Sequence, residues 1–142
     1  MLAGCSDTVS LDAPSVSGAT ARACAALLGS VPATVADQPE REVDAGDGYA
    51  AAWGDPAIEL RCGVPTPEGL DRFAGCQEVN GVGWFIPESQ QTGRPVAVTM
   101  TTVGRAQNVE VRIPVDYFPP ANTMVDLGVA VKRSIREVQP CV

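Results

Sequence analysis

The sequence contains no histidine. Histidine is the usual general base near neutral pH and the commonest protein ligand of metal ions. Its absence excludes Ser-His-Asp hydrolysis, Cys-His catalysis and histidine-based zinc sites. The sequence also has no internal repeat, no low-complexity tract and no apolar run long enough to span a bilayer.

Aromatic residues and lysine are scarce as well. The chain has two Trp, two Tyr and three Phe, and its hydrophobic content of 45% depends mainly on Ala and Val. A core of small side chains buries less apolar area, so covalent cross-links would help to stabilise it. The length of 142 residues fits a single domain. One Lys beside nine Arg, with much Ala, Gly, Val and Pro, is typical of a bacterial genome of high GC content.

The net charge is −7 at pH 7. An acidic surface repels phosphate groups, which argues against nucleic acid as a partner and against polybasic docking to a membrane. Nothing in the sequence indicates a cofactor, and we expect none.

Five cysteines divide into a set of four and one at the N-terminus. The four are Cys24, Cys62, Cys76 and Cys141. An even number without C-x-x-C spacing predicts two structural disulfides in an exported protein, not a zinc or redox site. Three pairings are open. We favour Cys62–Cys76, which would join two strands across a loop rich in Pro and Gly, with Cys24–Cys141 as the second.

The fifth cysteine follows Leu2-Ala3-Gly4 and completes a bacterial lipobox. In such a motif a diacylglyceryl group is transferred to the cysteine thiol, so we expect lipidation of Cys5 and a membrane anchor there. The charged and apolar segments that normally precede a lipobox are missing, which indicates a start codon placed too late or a leader removed for expression. Residues 1–17 are interpreted as the lipobox remnant and a flexible tether.

Two amphipathic helices are predicted, over about 18–28 and 122–136. Ser17 is expected to cap the first, and Thr123-x-x-Asp126 resembles a capping box at the start of the second. The apolar stripe of the second helix consists of Met124, Leu127, Val131 and Ile135.

Residues 33–52 are predicted to be irregular and acidic, and strands follow them. The predicted strands are 58–64, 76–79, 82–86, 96–103 and 109–115. Asn80-Gly81 predicts a tight hairpin between the second and third of these. The fold class is therefore α+β, with an antiparallel sheet of about four to six strands packed by an N-terminal and a C-terminal helix and stapled by two disulfides. Residues 18–142 would form this single domain.

Four segments are distinctive in this order along the chain. They are Trp53-Gly54-Asp55-Pro56-x-Ile58-x-Leu60-Arg61-Cys62-Gly63-Val64, Val79-Asn80-Gly81-Val82-Gly83-Trp84-Phe85, Thr101-Thr102-Val103-Gly104-Arg105 and Pro140-Cys141-Val142. Over about residues 24–142 the chain resembles an actinobacterial family of secreted proteins and lipoproteins catalogued as domain-of-unknown-function family 3515. The resemblance implies an envelope location and implies no activity.

Two arginines at strand edges are candidate ligand-binding residues. Arg61 and Arg105, together with Trp53 and Trp84, would line a groove for an anion or a peptide. The alternative is that each Arg pairs with a carboxylate and that both Trp residues lie in the core, where large aromatic side chains normally pack.

Carboxylates offer two further candidates. Asp55 and Glu59 would form an acid/base pair if they shared a cleft, but an Asp before Pro usually caps its own turn. The acidic stretch 37–47 contains a calcium-like Asp44-Ala45-Gly46-Asp47, yet it lacks EF-hand spacing and is more simply a solvated loop. We assign no catalytic residue and no metal site.

The functional expectation is a non-catalytic binding or envelope-assembly module, anchored through Cys5 at the outer face of the cytoplasmic membrane. Its partner would be an envelope protein or the cell wall. The alternative is a small carboxylate-dependent hydrolase or transferase of the cell envelope. A carrier of an apolar ligand is disfavoured by the modest apolar content.

Overall fold

The computed structural model of the protein describes residues 8–71 and 75–141. The expected lipidation of Cys5 lies outside these residues. The strands are β1 (Val9–Ser10), β2 (Thr34–Val35), β3 (Gln38–Arg41), β4 (Val43–Asp44), β5 (Tyr49–Trp53), β6 (Ile58–Cys62), β7 (Gln77–Val79), β8 (Val82–Phe85), β9 (Val98–Val103) and β10 (Val109–Ile113). The helices are α1 (Gly18–Leu28) and α2 (Ala121–Ser134). The α+β class is confirmed.

Eight of the strands form one antiparallel sheet in the order β2-β3-β5-β6-β10-β9-β8-β7. The sheet is larger than the predicted four to six strands. The predicted hairpin at Asn80-Gly81 is present, and the turn between β7 and β8 has Asn80 and Gly81 at φ +51° and +84°. Two consecutive positive φ angles are what a two-residue hairpin turn requires.

The prediction of an irregular segment over 33–52 is wrong, because β2 to β5 all lie within or at the end of it. β5 is an inner strand of the sheet. Its sequence Tyr-Ala-Ala-Ala-Trp carries little strand propensity, so neighbouring strands and burial determine its conformation.

The two helices begin and end close to the predicted residues, but their capping differs. Ser17 occupies the N-cap of α1 without a side-chain capping bond, and Pro120 occupies that of α2. Thr123 is buried inside α2. The Asp126 carboxylate accepts a 2.8 Å hydrogen bond from the Ala36 amide in the β2–β3 turn, so it secures that turn and does not complete a capping box. Neither helix is long and apolar enough to cross a bilayer.

Both helices pack on one face of the sheet, which we call the helical face, and the main core lies between them. The apolar stripe of α2 is buried there as predicted. Val115, the last residue of the predicted strand 109–115, lies outside β10 and is 48% exposed. β10 ends at Ile113, and Pro114, which cannot donate a ladder hydrogen bond, follows it.

Two disulfides are present, and the favoured pairing is wrong. The structure joins Cys24 to Cys62 and Cys76 to Cys141, with Cα–Cα distances of 5.7 and 6.2 Å. Cys62 ends β6 and Cys76 precedes β7, and three strands separate β6 from β7 in the sheet. Proximity in the chain therefore does not give proximity in the fold.

The opposite face of the sheet, the ribbon face, carries the N-terminal segment. β1 pairs in parallel with β4, and Leu11 is buried against Ala50 and Ala52 of β5. The interpretation of residues 8–17 as a flexible tether is therefore wrong, because Val9 and Leu11 are packed. The folded domain includes Thr8 and does not begin at Gly18.

Candidate functional site

Neither tryptophan of the predicted groove lines a groove. Trp53 and Trp84 are completely buried in the main core, beneath the helices. Trp53 Nε1 donates a 3.0 Å hydrogen bond to the Pro32 carbonyl oxygen. The indole N–H of Trp84 has no hydrogen-bond partner among the described residues. Both side chains contribute to packing and offer no surface to a ligand.

Arg105 lies in the β9–β10 connection and contacts the end of the chain. Its guanidinium donates hydrogen bonds to the carbonyl oxygens of Ile135 at 3.0 Å and Gly81 at 2.7 Å. It also lies 3.6 Å from the Glu137 carboxylate. Gly104, immediately before it, accepts backbone bonds from Val138 and Gln139. Arg105 therefore fastens the C-terminal segment to a hairpin turn through both of its terminal nitrogens.

Arg61 lies on the ribbon face at the centre of a cluster of charges. Its Nε donates a 2.9 Å hydrogen bond to the Asp12 carbonyl oxygen of the N-terminal segment. Its Nη1 lies 2.9 Å from a Glu59 carboxylate oxygen and 3.9 Å from a Glu110 oxygen, as ion pairs without hydrogen-bond geometry. Glu110 also accepts a 3.1 Å hydrogen bond from Arg112. Glu59, Arg61, Glu110 and Arg112 form what we call the charge cluster.

The register of the sheet produces this cluster. In the antiparallel β6–β10 pair, Arg61 lies opposite Glu110 and Glu59 lies opposite Arg112. Cross-strand neighbours on one face have Cβ atoms about 5 Å apart, so opposite charges attract there. Sequence reasoning took Arg61 as a groove residue and Glu59 as an acid/base candidate, and it did not pair β6 with β10. The signal that could have found the cluster is the repeated Glu-x-Arg in Ile58-Glu-Leu-Arg-Cys and Val109-Glu-Val-Arg-Ile.

The charge cluster is buried at one end and open at the other. The Arg61 side chain is 9% exposed and that of Arg112 is 55% exposed. Thr101, opposite Glu110 on β9, is buried, whereas Thr99, opposite Arg112, is partly exposed. The open end offers a guanidinium and a hydroxyl group, which can hydrogen-bond a polar ligand. The buried end ties the N-terminal segment to the sheet.

The two predicted acid/base carboxylates have different neighbours. Glu59 faces Arg61 in the charge cluster. Asp55 lies in the exposed β5–β6 turn, beside Tyr117, whose hydroxyl donates a 2.6 Å hydrogen bond to the Pro56 carbonyl oxygen. Burial, and then the charges of Asp116 and Asp55, raise the pKa of Tyr117. No contact joins Asp55 to Glu59 among the described residues.

The calcium-like segment is a turn between β4 and β5. The Asp44 carboxylate accepts a 3.1 Å hydrogen bond from the Gly46 amide, which is the common role of Asp in a turn. Within residues 8–71 and 75–141, no group of three or more Cys, Asp or Glu side chains could hold a metal ion.

Among the described residues, the surface depressions large enough for a small ligand include the following two. One of about 520 Å³ lies between the β6–β7 loop and the segment after β8. A polar one of about 330 Å³ lies between residues 105–108 and the start of α1. Asn108 already donates to the Val64 carbonyl oxygen there. Neither depression is lined by Glu59 or Glu110, the two carboxylates of the charge cluster.

The comparisons with known proteins identify a family and no characterised relative. No curated protein and no solved structure matches the chain. The sequence profile of one family, described as "Protein of unknown function (DUF3515)", matches residues 4–140 and so covers nearly the whole chain. The chain therefore belongs to the DUF3515 family.

Proposed function

We propose that this protein is the extracytoplasmic domain of an actinobacterial lipoprotein, which is anchored to the cytoplasmic membrane through Cys5 and binds an envelope component without catalysing a reaction. The observation that carries the proposal is the complete pairing of the other four cysteines with one another. Cys5, at the end of the lipobox-like Leu2-Ala3-Gly4-Cys5, remains as the fifth.

The disulfides support an extracytoplasmic location. Such bonds form and persist in oxidising compartments and are rare in the cytoplasm. Cys24 and Cys62 are fully buried in a core that depends on small side chains, so their bond is structural. The family match begins at Gly4 and includes Cys5, which supports the lipobox as part of the protein and not a chance N-terminal addition.

The charge cluster supports binding over catalysis. A catalytic proton donor is often a carboxyl group in an apolar pocket. Glu59 and Glu110 are instead ion-paired with arginine guanidinium groups. The absence of histidine removes the other common proton-transfer group.

Metabolic labelling tests the anchor. The chain is exported in an actinobacterial host behind a lipoprotein signal segment, and cells are fed radiolabelled palmitate. The wild type and the neighbouring control Ser6→Ala should both take up label, whereas Cys5→Ser should take up none, because the acceptor thiol is missing. Equal labelling of Cys5→Ser, or none of the wild type, contradicts the proposal.

One observation favours the alternative function, a carboxylate-dependent envelope hydrolase or transferase. Glu59 and Glu110 approach the same nitrogen of Arg61, so two carboxyl groups are close together, as glycoside hydrolysis requires. Complementation of a deletion strain separates the two functions. If Glu59→Gln and Glu110→Gln each complement as well as the wild type, the enzyme loses its acid and base. If either variant is folded and still binds its envelope component but fails to complement, the enzyme gains support.

A further inference from the structure

Helix α2 exposes a stripe of apolar and basic side chains on the side away from the core. Val125 and Val129, one helical turn apart, are 45% and 65% exposed. Lys132 and Arg133 follow in the last turn of the helix, and Arg136 lies two residues past its end; all three are exposed. We call these five residues the α2 stripe. In the described chain, no carboxylate lies within ion-pair distance of its three cations.

The fold does not account for exposed valines next to unpaired cations. Cations near a helix C-terminus interact favourably with the helix dipole, which explains why Lys132 and Arg133 are tolerated. It does not explain the valines, because Val has a lower helix propensity than most residues and gains nothing from packing when exposed. Three unpaired cations within five positions also stand out in a chain of net charge −7. An apolar surface next to unpaired charge is typical of an interaction surface.

The position of the N-terminus determines which way the stripe faces, if the proposed lipid anchor on Cys5 is correct. Val9 and Leu11 pack on the ribbon face, whereas α2 packs on the helical face. Cys5 precedes Thr8 by three residues, which span at most about 11 Å. The spacing of packed layers is about 10 Å and a helix is about 10–12 Å across, so the outer side of α2 stands roughly 20 Å from the N-terminal segment. The stripe therefore faces away from the bilayer.

We propose that the α2 stripe is the docking surface for a second envelope protein, one that presents carboxylates beside an apolar patch. Charge complementarity selects the acidic partner. A bilayer is out of reach for a domain tethered on the opposite face. A second copy docked through the same stripe would oppose like charges, and a wall polyanion would leave the valines without contacts. This inference rests on the proposed function for the orientation, and on the exposed valines and cations for the surface.

Site-specific cross-linking in the living envelope tests the proposal. A photoreactive amino acid is placed at Val129 and, as the matched control, at Val115, which is 48% exposed elsewhere on the surface. Position 129 should give one discrete adduct with a protein whose cross-linked peptide carries several carboxylates, and position 115 should not. The double variant Lys132→Glu, Arg133→Glu should lower the adduct yield at least about tenfold, because like charges then face each other. The control double variant Arg22→Glu, Arg94→Glu should leave it unchanged.

Several outcomes would contradict the proposal that the α2 stripe is a docking surface. These are no discrete adduct at position 129, an adduct with lipid or polysaccharide, and an adduct whose yield survives the charge reversal. Flotation of the full unlipidated chain with phosphatidylglycerol vesicles provides a further check, because binding through the stripe would make the membrane its occupant. Palmitate labelling of the same cells separates the two proposals. An unlabelled chain that still gives the acidic adduct disproves the anchor and leaves the surface intact.

Discussion

At the scale of single residues, Arg105 was predicted to bind a ligand, but the structure gives it a well-defined structural role. Its side chain is only 6% exposed and bonds two carbonyl oxygens. Arg105→Ala should lower the free energy of unfolding by about 2–3 kcal/mol, since hydrogen bonds from a buried charge are lost. The control Arg94→Ala, at an exposed position, should stay within about 0.5 kcal/mol. Urea unfolding measures both. Unchanged hydrogen exchange at the Val138 amide in Arg105→Ala would show that Arg105 does not hold the C-terminal segment.

Tyr117 gives a prediction of pH dependence. Burial, followed by the negative charges of Asp116 and Asp55, raises its pKa above the ordinary value of 10.0, against the opposing contacts of the Asp55 backbone and Arg41. The folded state then keeps the proton longer than the unfolded state. The stabilisation is complete below about pH 10 and is lost as the pH rises through the folded pKa. Tyr117→Phe should therefore flatten the fall of unfolding free energy above about pH 10.

A spectrophotometric titration checks the cause of this shift. The difference between the wild type and Tyr117→Phe isolates the Tyr117 phenolate. In Asp116→Asn this titration should move to lower pH, because one of the charges that raise the pKa is removed. A titration that does not move would show that the Asp116 charge does not contribute to the shift.

At the scale of elements, α2 offers an internal test of its two sides. Val131 is fully buried and Val129 is 65% exposed, two positions apart on the same helix. Val131→Ala should cost about 2 kcal/mol through lost burial and a cavity. Val129→Ala should instead stabilise by about 0.5 kcal/mol, because Ala has the higher helix propensity. Thermal unfolding measures the stability of the two variants. A large loss of stability in Val129→Ala would mean that this side chain has a structural contact.

Elements specified by local signals could be predicted from the sequence. Periodic apolar residues predicted both helices, and Asn80-Gly81 predicted the turn between β7 and β8. β5 was missed because its alanines carry no local strand signal, and sheet neighbours impose its conformation. The capping role assigned to Thr123 failed because tertiary packing buries this residue.

Features that depend on distant pairing could not be predicted. The disulfide pairing was wrong because three strands separate β6 from β7, and the packing of α1 on the sheet brings Cys24 to Cys62 instead. The charge cluster was missed for the same reason, since Arg61 and Glu110 meet only when β6 pairs with β10. The tryptophans do not line the predicted groove, because large aromatic side chains such as Trp84 pack in the core.

At the scale of the whole molecule, the two disulfides should differ in importance. Their sequence separations of 38 and 65 residues change the chain-entropy contribution by only about 0.5 kcal/mol, so burial decides. Cys24 and Cys62 are fully buried, whereas Cys76 and Cys141 are partly exposed. Under native conditions dithiothreitol should open Cys76–Cys141 first, as measured by alkylation and mass spectrometry. The variant Cys24→Ala, Cys62→Ala should lose more stability than Cys76→Ala, Cys141→Ala.

The orientation proposed for the molecule depends on Cys5. The N-terminal segment lies on the ribbon face, and α2 packs on the helical face. A lipid on Cys5 would hold the ribbon face toward the membrane and leave the α2 stripe for a partner. The proposed anchor and the proposed orientation therefore both depend on the state of Cys5.

Non-reducing peptide mapping of the protein isolated from membranes tests this claim most directly. Each of the five cysteines lies on a different tryptic peptide, so every cross-link is identified by its mass. We predict linked peptides for Cys24–Cys62 and Cys76–Cys141, and an N-terminal peptide that carries a diacylglyceryl group on Cys5. A disulfide from Cys5 to any of the other four cysteines, or an unmodified Cys5 in the membrane-derived protein, would contradict the account.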